Sequence, residues 1–244
     1  MIFHLYGFFM GLAITAGYFL VVKRAEKYHF PKEEITSLFL FIIPLGILGA
    51  RIYHVADQWE YYVKRPIEIL ALWKGGLGIW GAIIGGIIGI YLFVFFLNKR
   101  TKLFYSAATI LELIVPSLVL GQAIGRIGNF FNQEAFGPPT NLPWGVYIKM
   151  ENRPDFWQGF SYFQPTFFYE SLWMILGFGI LILWERRKQN LCAFYLIWYG
   201  LGRFLLEFIR FGTARFLGIN VAQTFSILGI ILGFAILTKR FKIY

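Results

Sequence analysis

Apolar residues in this chain come in long unbroken runs, separated by short basic loops and two longer aromatic-rich stretches. A run of about 20 apolar residues is long enough to cross the hydrocarbon core of a bilayer as a helix. Seven runs of that kind fall near 3–22, 35–55, 78–97, 103–125, 166–184, 191–211 and 221–238. The pattern predicts an all-α integral membrane protein, a single polytopic domain over 1–244 with seven transmembrane helices. The sixth run is interrupted by Arg203, Glu207 and Arg210. Their i, i+4, i+7 spacing predicts one charged stripe on a helix, which must face protein or water.

The basic residues orient the spans. No Lys or Arg precedes the first run, whereas Lys23, Arg24, Lys27 and Lys32 follow it, the reverse of a cleavable signal peptide. This predicts an N-terminus outside and a C-terminus in the cytoplasm. Lys99, Arg100 and Lys102, then Arg186, Arg187 and Lys188, then Lys239, Arg240 and Lys242 all fall inside, as the positive-inside rule requires. The segment 126–165 then lies outside, between the fourth and fifth spans. Its Pro138, Pro139, Pro143, Pro154 and Pro165 suit a small extracytoplasmic cap and not a further span. A second outer stretch, 57–77, begins DQWEYYVKRPIEILALWK and predicts an interfacial helix, since Trp and Tyr favour the headgroup level.

Composition narrows the function. At 58% hydrophobic and 15% charged residues, the chain lies outside soluble composition, so its net charge of +10 reflects membrane topology and no nucleic-acid partner. The one cysteine, Cys192, permits no intrachain disulfide and reads as a small hydrophobe. His4, His29 and His54 are too scattered for a zinc site, and no cofactor motif is present. Gly81, Gly85 and Gly89 in the third span, and Gly7 and Gly11 in the first, have the small-xxx-small spacing of close helix packing.

The chemistry concentrates at the end of the fourth span, in GRIGNFFNQEAFG from Gly125 to Gly137. Ionised groups at membrane depth are costly, so Arg126 with Asn129, Asn132 and Glu134 reads as a functional site by default. Arg126 and Asn129 share a face if the helix continues through them, and a guanidinium offers a planar fork of donors for phosphate oxygens. The competing reading is an arginine snorkelling to the headgroups. Glu134 needs a cation if buried, with Arg126 and Arg203 available, and is then a positioner more than a base.

The stretch resembles the signature of bacterial prolipoprotein diacylglyceryl transferases, Gly-Arg-x-Gly-Asn-Phe-x-Asn-x-Glu-x-x-Gly, with every fixed position present up to Gly137. The resemblance extends to GAR around Arg51, KGGLGIWGAIIGG in the third span, PWGV of the outer segment, and QPTFFYES with Tyr169 and Glu170. It also covers the late Arg203, Glu207, Arg210 helix. Gln164 stands where many members have His. The resemblance implies transfer of the sn-1,2-diacylglyceryl group of phosphatidylglycerol to the lipobox cysteine of a preprolipoprotein signal peptide, with release of glycerol 1-phosphate. It implies a bacterial cytoplasmic (inner) membrane location, membrane lipids as further partners, and no cofactor.

On this reading Arg126, Arg203 and Glu207 are the catalytic candidates. Arg126, Asn129, Asn132, Glu134, Gly137, Tyr6, Arg51, Trp80, Tyr169, Glu170 and Arg210 are the substrate-binding candidates. Arg51 reads equally as an interfacial anchor, and Glu170 as a carboxylate stabilised in the first turn of a helix. Trp80 is a departure, because many members carry a proposed basic histidine there and an indole accepts no proton. A base is then dispensable, or supplied by His54, Tyr6 or Glu207, or the activity of this member is altered. The alternative from another class is a small transporter or channel for an anionic lipid or solute.

Overall fold

The computed structural model describes residues 5–101, 103–185, 190–210, 215–216 and 218–238, with side chains at 215 and 216 left aside. Among the described residues seven helices are long and apolar enough to span a membrane, as the hydropathy pattern predicts. In chain order the helices are α1 (Leu5–Ala25), α2 (Glu34–Asp57), the short α3 (Trp59–Val63), α4 (Ile79–Thr101), α5 (Ala107–Asn132), α6 (Thr166–Glu185), α7 (Leu191–Leu206) and α8 (Val221–Thr238). Lys102, Arg186, Arg187, Lys188, Lys239, Arg240 and Lys242, on which much of the orientation rests, lie outside the described residues, as does His4.

The chain forms two compact units, one of residues 22–111 and one of residues 1–21 with 112–244. In the 22–111 unit α2 packs on α4 through glycines. A Cβ on Gly81 would collide with the Gly49 carbonyl, and one on Gly85 with the Leu45 carbonyl, so the backbones meet directly. Gly89 is similarly close to Phe41. Gly11 in α1 departs from this expectation, having open space where a Cβ would stand.

The stretch predicted as one interfacial helix is broken. After α3 it continues as two 3-10 turns, Pro66–Leu70 and Leu72–Lys74. Pro66 lacks an N–H and holds Arg65 at φ −142°, ψ 60°, away from helical values. The Tyr61 hydroxyl donates to Glu68 Oε2 at 2.8 Å, which holds that carboxyl below its ordinary range.

In the larger unit the core lies among α5, α6 and α7: Val115, Val119, Ala123, Met174, Leu181 and Leu191 are buried, and Cys192 packs against them. Trp173 and Trp198 stack with centroids 4.3 Å apart, each donating its indole N–H to the other's backbone carbonyl at 3.0 Å. Each indole fills the space left by a glycine on the facing helix, Gly202 for Trp173 and Gly177 for Trp198. The start of α7 is capped by Asn190 Oδ1, which accepts the Ala193 N–H, and by the buried Glu112 carboxylate, which accepts those of Leu191 and Cys192 at 2.8 and 2.9 Å.

The segment between α5 and α6 has its own small core of Phe136, Ile148, Phe163 and Phe167. Strands β1 (Val146–Tyr147) and β2 (Tyr162–Phe163) pair antiparallel over it. A second short pair, β3 (Arg215–Phe216) with β4 (Ile219–Asn220), precedes α8.

Candidate functional site

The site begins with how α5 stops. The helix runs unbroken through Arg126 and Asn129, so the two do share a face. It closes with two bonds, Glu134 N–H to Asn129 O and Gln133 N–H to Phe130 O, around Gln133 at φ 53°. That is a Schellman closure built without the usual glycine. A left-handed non-glycine residue costs about 1–2 kcal/mol, and here Gln133 is held by its side chain, which accepts from Lys149 N and Asn152 Nδ2 at 2.9 and 3.1 Å. The turn folds Glu134 back over the helix end. Its Oε1 accepts from Asn129 Nδ2 at 2.8 Å and from Asn132 Nδ2 at 3.3 Å. Glu134 therefore has amide partners, and the arginines expected as its counter-ions are engaged elsewhere.

They converge on Glu170. This buried carboxylate, one turn into α6, lies 2.5 Å from Arg126 Nε, 2.5 Å from Arg210 Nη1 and 3.7 Å from Arg203 Nη1. Arg126 also reaches Asn129 Oδ1 in a long contact of 3.4 Å. Arg203 contacts Glu207 Oε2 at 2.9 Å without hydrogen-bond alignment, while the other oxygen of Glu207 accepts from Asn220 Nδ2 at 3.1 Å. Three guanidiniums thus face the two buried carboxylates Glu170 and Glu207, and the exposed Glu134 lies one amide away from Arg126 through Asn129.

Arg210 reaches Glu170 by a route the helical spacing does not contain. α7 ends at Leu206, Glu207–Ile209 forms a 3-10 turn, and Arg210 is extended at ψ 147°. The expected single stripe is corrected accordingly: Arg203 and Glu207 keep their one-turn relationship, and Arg210 approaches from a separate segment. Gly137 marks the closest approach of chains here, since a Cβ would meet Ile209 O and Thr166 Cγ2, and its N–H donates to Gln164 O at 2.8 Å.

Beside the ion cluster is a cavity of about 660 Å³ whose wall includes Arg126, Phe9, Phe131, Trp144, Phe168 and Tyr169. It is apolar except at a few points. Trp144 Nε1 donates to the Tyr169 hydroxyl at 2.8 Å within that wall, a partnership the sequence reading did not anticipate. The Tyr6 ring packs against Gly128, next to the signature face of α5. Glu112, a buried carboxylate also overlooked in the sequence, serves the start of α7 and not this cluster.

A model of the prolipoprotein diacylglyceryl transferase family matches residues 1–239. The chain belongs to this family. Relatives named phosphatidylglycerol--prolipoprotein diacylglyceryl transferase include one from Thermosynechococcus vestitus, 38% identical over 234 residues, covering 93% of this chain and 85% of the relative. Another, from Trichormus variabilis, is 40% identical over 239 residues, with 94% and 83% covered. A third, from Streptococcus pyogenes, is 39% identical over 246 residues, with 97% and 90% covered. Membership in a family of enzymes favours a transferase over the transporter or channel reading.

Three candidates belong to the 22–111 unit. Arg51 is buried, with all its polar atoms on backbone carbonyls of the 68–76 stretch. His54 packs its ring against Tyr62 and Gly76. Trp80 stands half-buried in the first turn of α4.

Proposed function

We propose that this protein transfers the diacylglyceryl group of phosphatidylglycerol to the lipobox cysteine thiol of preprolipoproteins in a bacterial cytoplasmic membrane, with its N-terminus outside. The observation that carries the reading is the double placement of Arg126. It belongs both to a cluster of three guanidiniums and to the wall of an apolar cavity, which is what a lipid with an anionic head requires.

In the reaction a sulfur–carbon bond forms at the glycerol carbon of the lipid and the carbon–oxygen bond to phosphate breaks. The thiol proton passes to water, and the bonding electrons of the broken carbon–oxygen bond leave with the glycerol phosphate, which gains a second negative charge as it becomes a monoester. A guanidinium cluster binds that developing charge more strongly than the diester ground state, so it stabilises the transition state selectively. Arg126 and Arg203 hold the phosphate through paired N–H donors. Glu170, Glu207 and Arg210 set the positions of those guanidiniums, while Asn129, Asn132 and Glu134 receive the hydroxyls of the headgroup. Gly137 keeps the chains close, and Tyr6 and Tyr169 shape the lipid's surroundings. Of the 126–165 segment, the part beyond the α5 end at Asn132 forms an extracytoplasmic cap.

A free thiol with pKa about 8.5 has a small thiolate fraction at neutral pH, and positive surroundings raise it. That effect gives a route to reaction without a histidine at position 80. The test is incubation of purified protein with labelled phosphatidylglycerol and a lipobox peptide, following both thioether-linked lipid and released glycerol phosphate. Absence of both products over a broad pH range would overturn the proposal.

A further inference from the structure

The 57–77 stretch exposes more apolar surface than any need of its own unit explains. Ile67 is 87% exposed, Leu70 78% and Trp73 84%. Ile67 and Leu70 stand three apart within one 3-10 turn and so share its edge, and Trp73 follows in the next turn, after Ala71 at φ −80°, ψ 68°. Exposed Lys64, Arg65 and Lys74 flank them. Bulky side chains this bare, clustered and rimmed by charge, mark a surface that meets something.

The backbone beneath is fixed and not a loose loop. Arg51 Nε donates to Ile69 O at 2.8 Å, Nη1 to Gly75 O and Gly76 O at 2.7 and 2.9 Å, and Nη2 to Glu68 O and Ala71 O at 2.5 and 3.4 Å. The same guanidinium lies 5.2 Å from the centre of the Tyr62 ring. Tyr62 and Ala71 form the buried side, so the exposed edge is turned away from the unit. Lys74 pairs with Glu68 at 3.0 Å and Arg65 lies over the Tyr61 ring at 4.4 Å, while Lys64 is exposed beside them.

We infer that Ile67, Leu70 and Trp73 form a wedge, latched from beneath by Arg51, that inserts into the acyl–headgroup boundary of an anionic bilayer. Chain continuity selects this occupant: the stretch begins where α2 ends at Asp57 and finishes where α4 begins at Ile79, so both ends are held at the mouth of a span. The side-chain mixture also fits. Apolar groups dip below the headgroups while neighbouring cations meet lipid phosphates, a pairing that strengthens with anionic lipid. The inference rests on α2 and α4 being spans, and not on the transfer chemistry.

The test uses the full chain with its one cysteine replaced, Cys192→Ala, and single cysteines at Ile67, Leu70, Trp73 and Lys64, each carrying a nitroxide. The protein is reconstituted one copy per nanodisc in phosphatidylcholine with and without phosphatidylglycerol, and collision rates with oxygen and with a water-soluble nickel chelate are measured. The expected result is oxygen-dominated contact at 67, 70 and 73, with a depth of about 5–10 Å, and nickel-dominated contact at 64. Depth at the three positions increases with phosphatidylglycerol. Adding Arg51→Ala loosens the spectrum at 70, which a wedge held by its own hydrophobicity alone would not show. Water-like accessibility at 67, 70 and 73 overturns the proposal. So does shielding of all three from both reagents, because that means protein covers the face.

Discussion

Arg126 and Glu170 join two helices by a single contact of 2.5 Å, Nε to Oε2, so the signature face of α5 is fixed against the first turns of α6. Much of the candidate site's behaviour follows from that link. The two residues are far apart in sequence, and each has a further partner that tethers it, Asn129 for the arginine and Arg210 for the glutamate.

Lysine at position 126 or 203 keeps the charge but loses the planar fork. Arg126→Lys and Arg203→Lys are expected to reduce turnover at least about tenfold, equivalent to roughly 1.4 kcal/mol, in protein that remains monodisperse. Initial rates of thioether formation check this, and rates near the parent's for both variants would refute a phosphate clamp.

Glu170→Gln removes the charge on which three guanidiniums converge. Breaking a buried ion pair from one side is destabilising, and because the arginines are part-exposed the expected cost is about 1–3 kcal/mol. The variant should melt several degrees below the parent in the same detergent and lose activity with it. An unchanged melting curve would show that the arginines hold their places without this carboxylate.

At position 80 shape is expected to matter more than the indole N–H. Trp80→Phe should retain substantial transfer and Trp80→Ala should lose it. If Phe abolishes transfer in a well-folded protein, the N–H has a chemical role.

Orientation is checked by accessibility. In a Cys192→Ala background, Asn141→Cys should react with an impermeant thiol reagent on intact cells, and Lys99→Cys should be spared. The opposite labelling pattern would invert the proposed topology.

The seven spans were legible because hydrocarbon length imposes a simple constraint on apolar runs, and the site's main segment was legible because charges at membrane depth need a reason. What the sequence concealed arose from backbone changes with no local marker. Gln133 takes a left-handed conformation without being Gly or Asn, so the return of Glu134 onto Asn129 had no signal. The 3-10 end of α7 broke the apparent periodicity that joined Arg203 to Arg210. Glu170 looked like an ordinary first-turn carboxylate because its cations come from α5 and from beyond α7. Pro66, by contrast, was visible, and its interruption of the 57–77 helix was readable in principle.

The interlocked tryptophans of α6 and α7 offer a separate check. A methyl group at Gly177 or Gly202 would overlap an indole that is stacked and hydrogen-bonded, leaving it little freedom to yield. Gly177→Ala and Gly202→Ala should each cost about 1–3 kcal/mol, read as a lower melting midpoint. Parent-like melting of both would mean the indoles relocate freely.

Those paired indoles also bear on how a lipid gets in. Sliding α6 along α7 would sever two hydrogen bonds and unstack two rings together, and the same pair of helices carries Glu170, three residues before Trp173, and Arg203, five after Trp198. The two helices are therefore expected to move together. Breathing of the cavity is then expected on its α1 side, where Phe9 stacks on Phe131 of α5 at 5.3 Å.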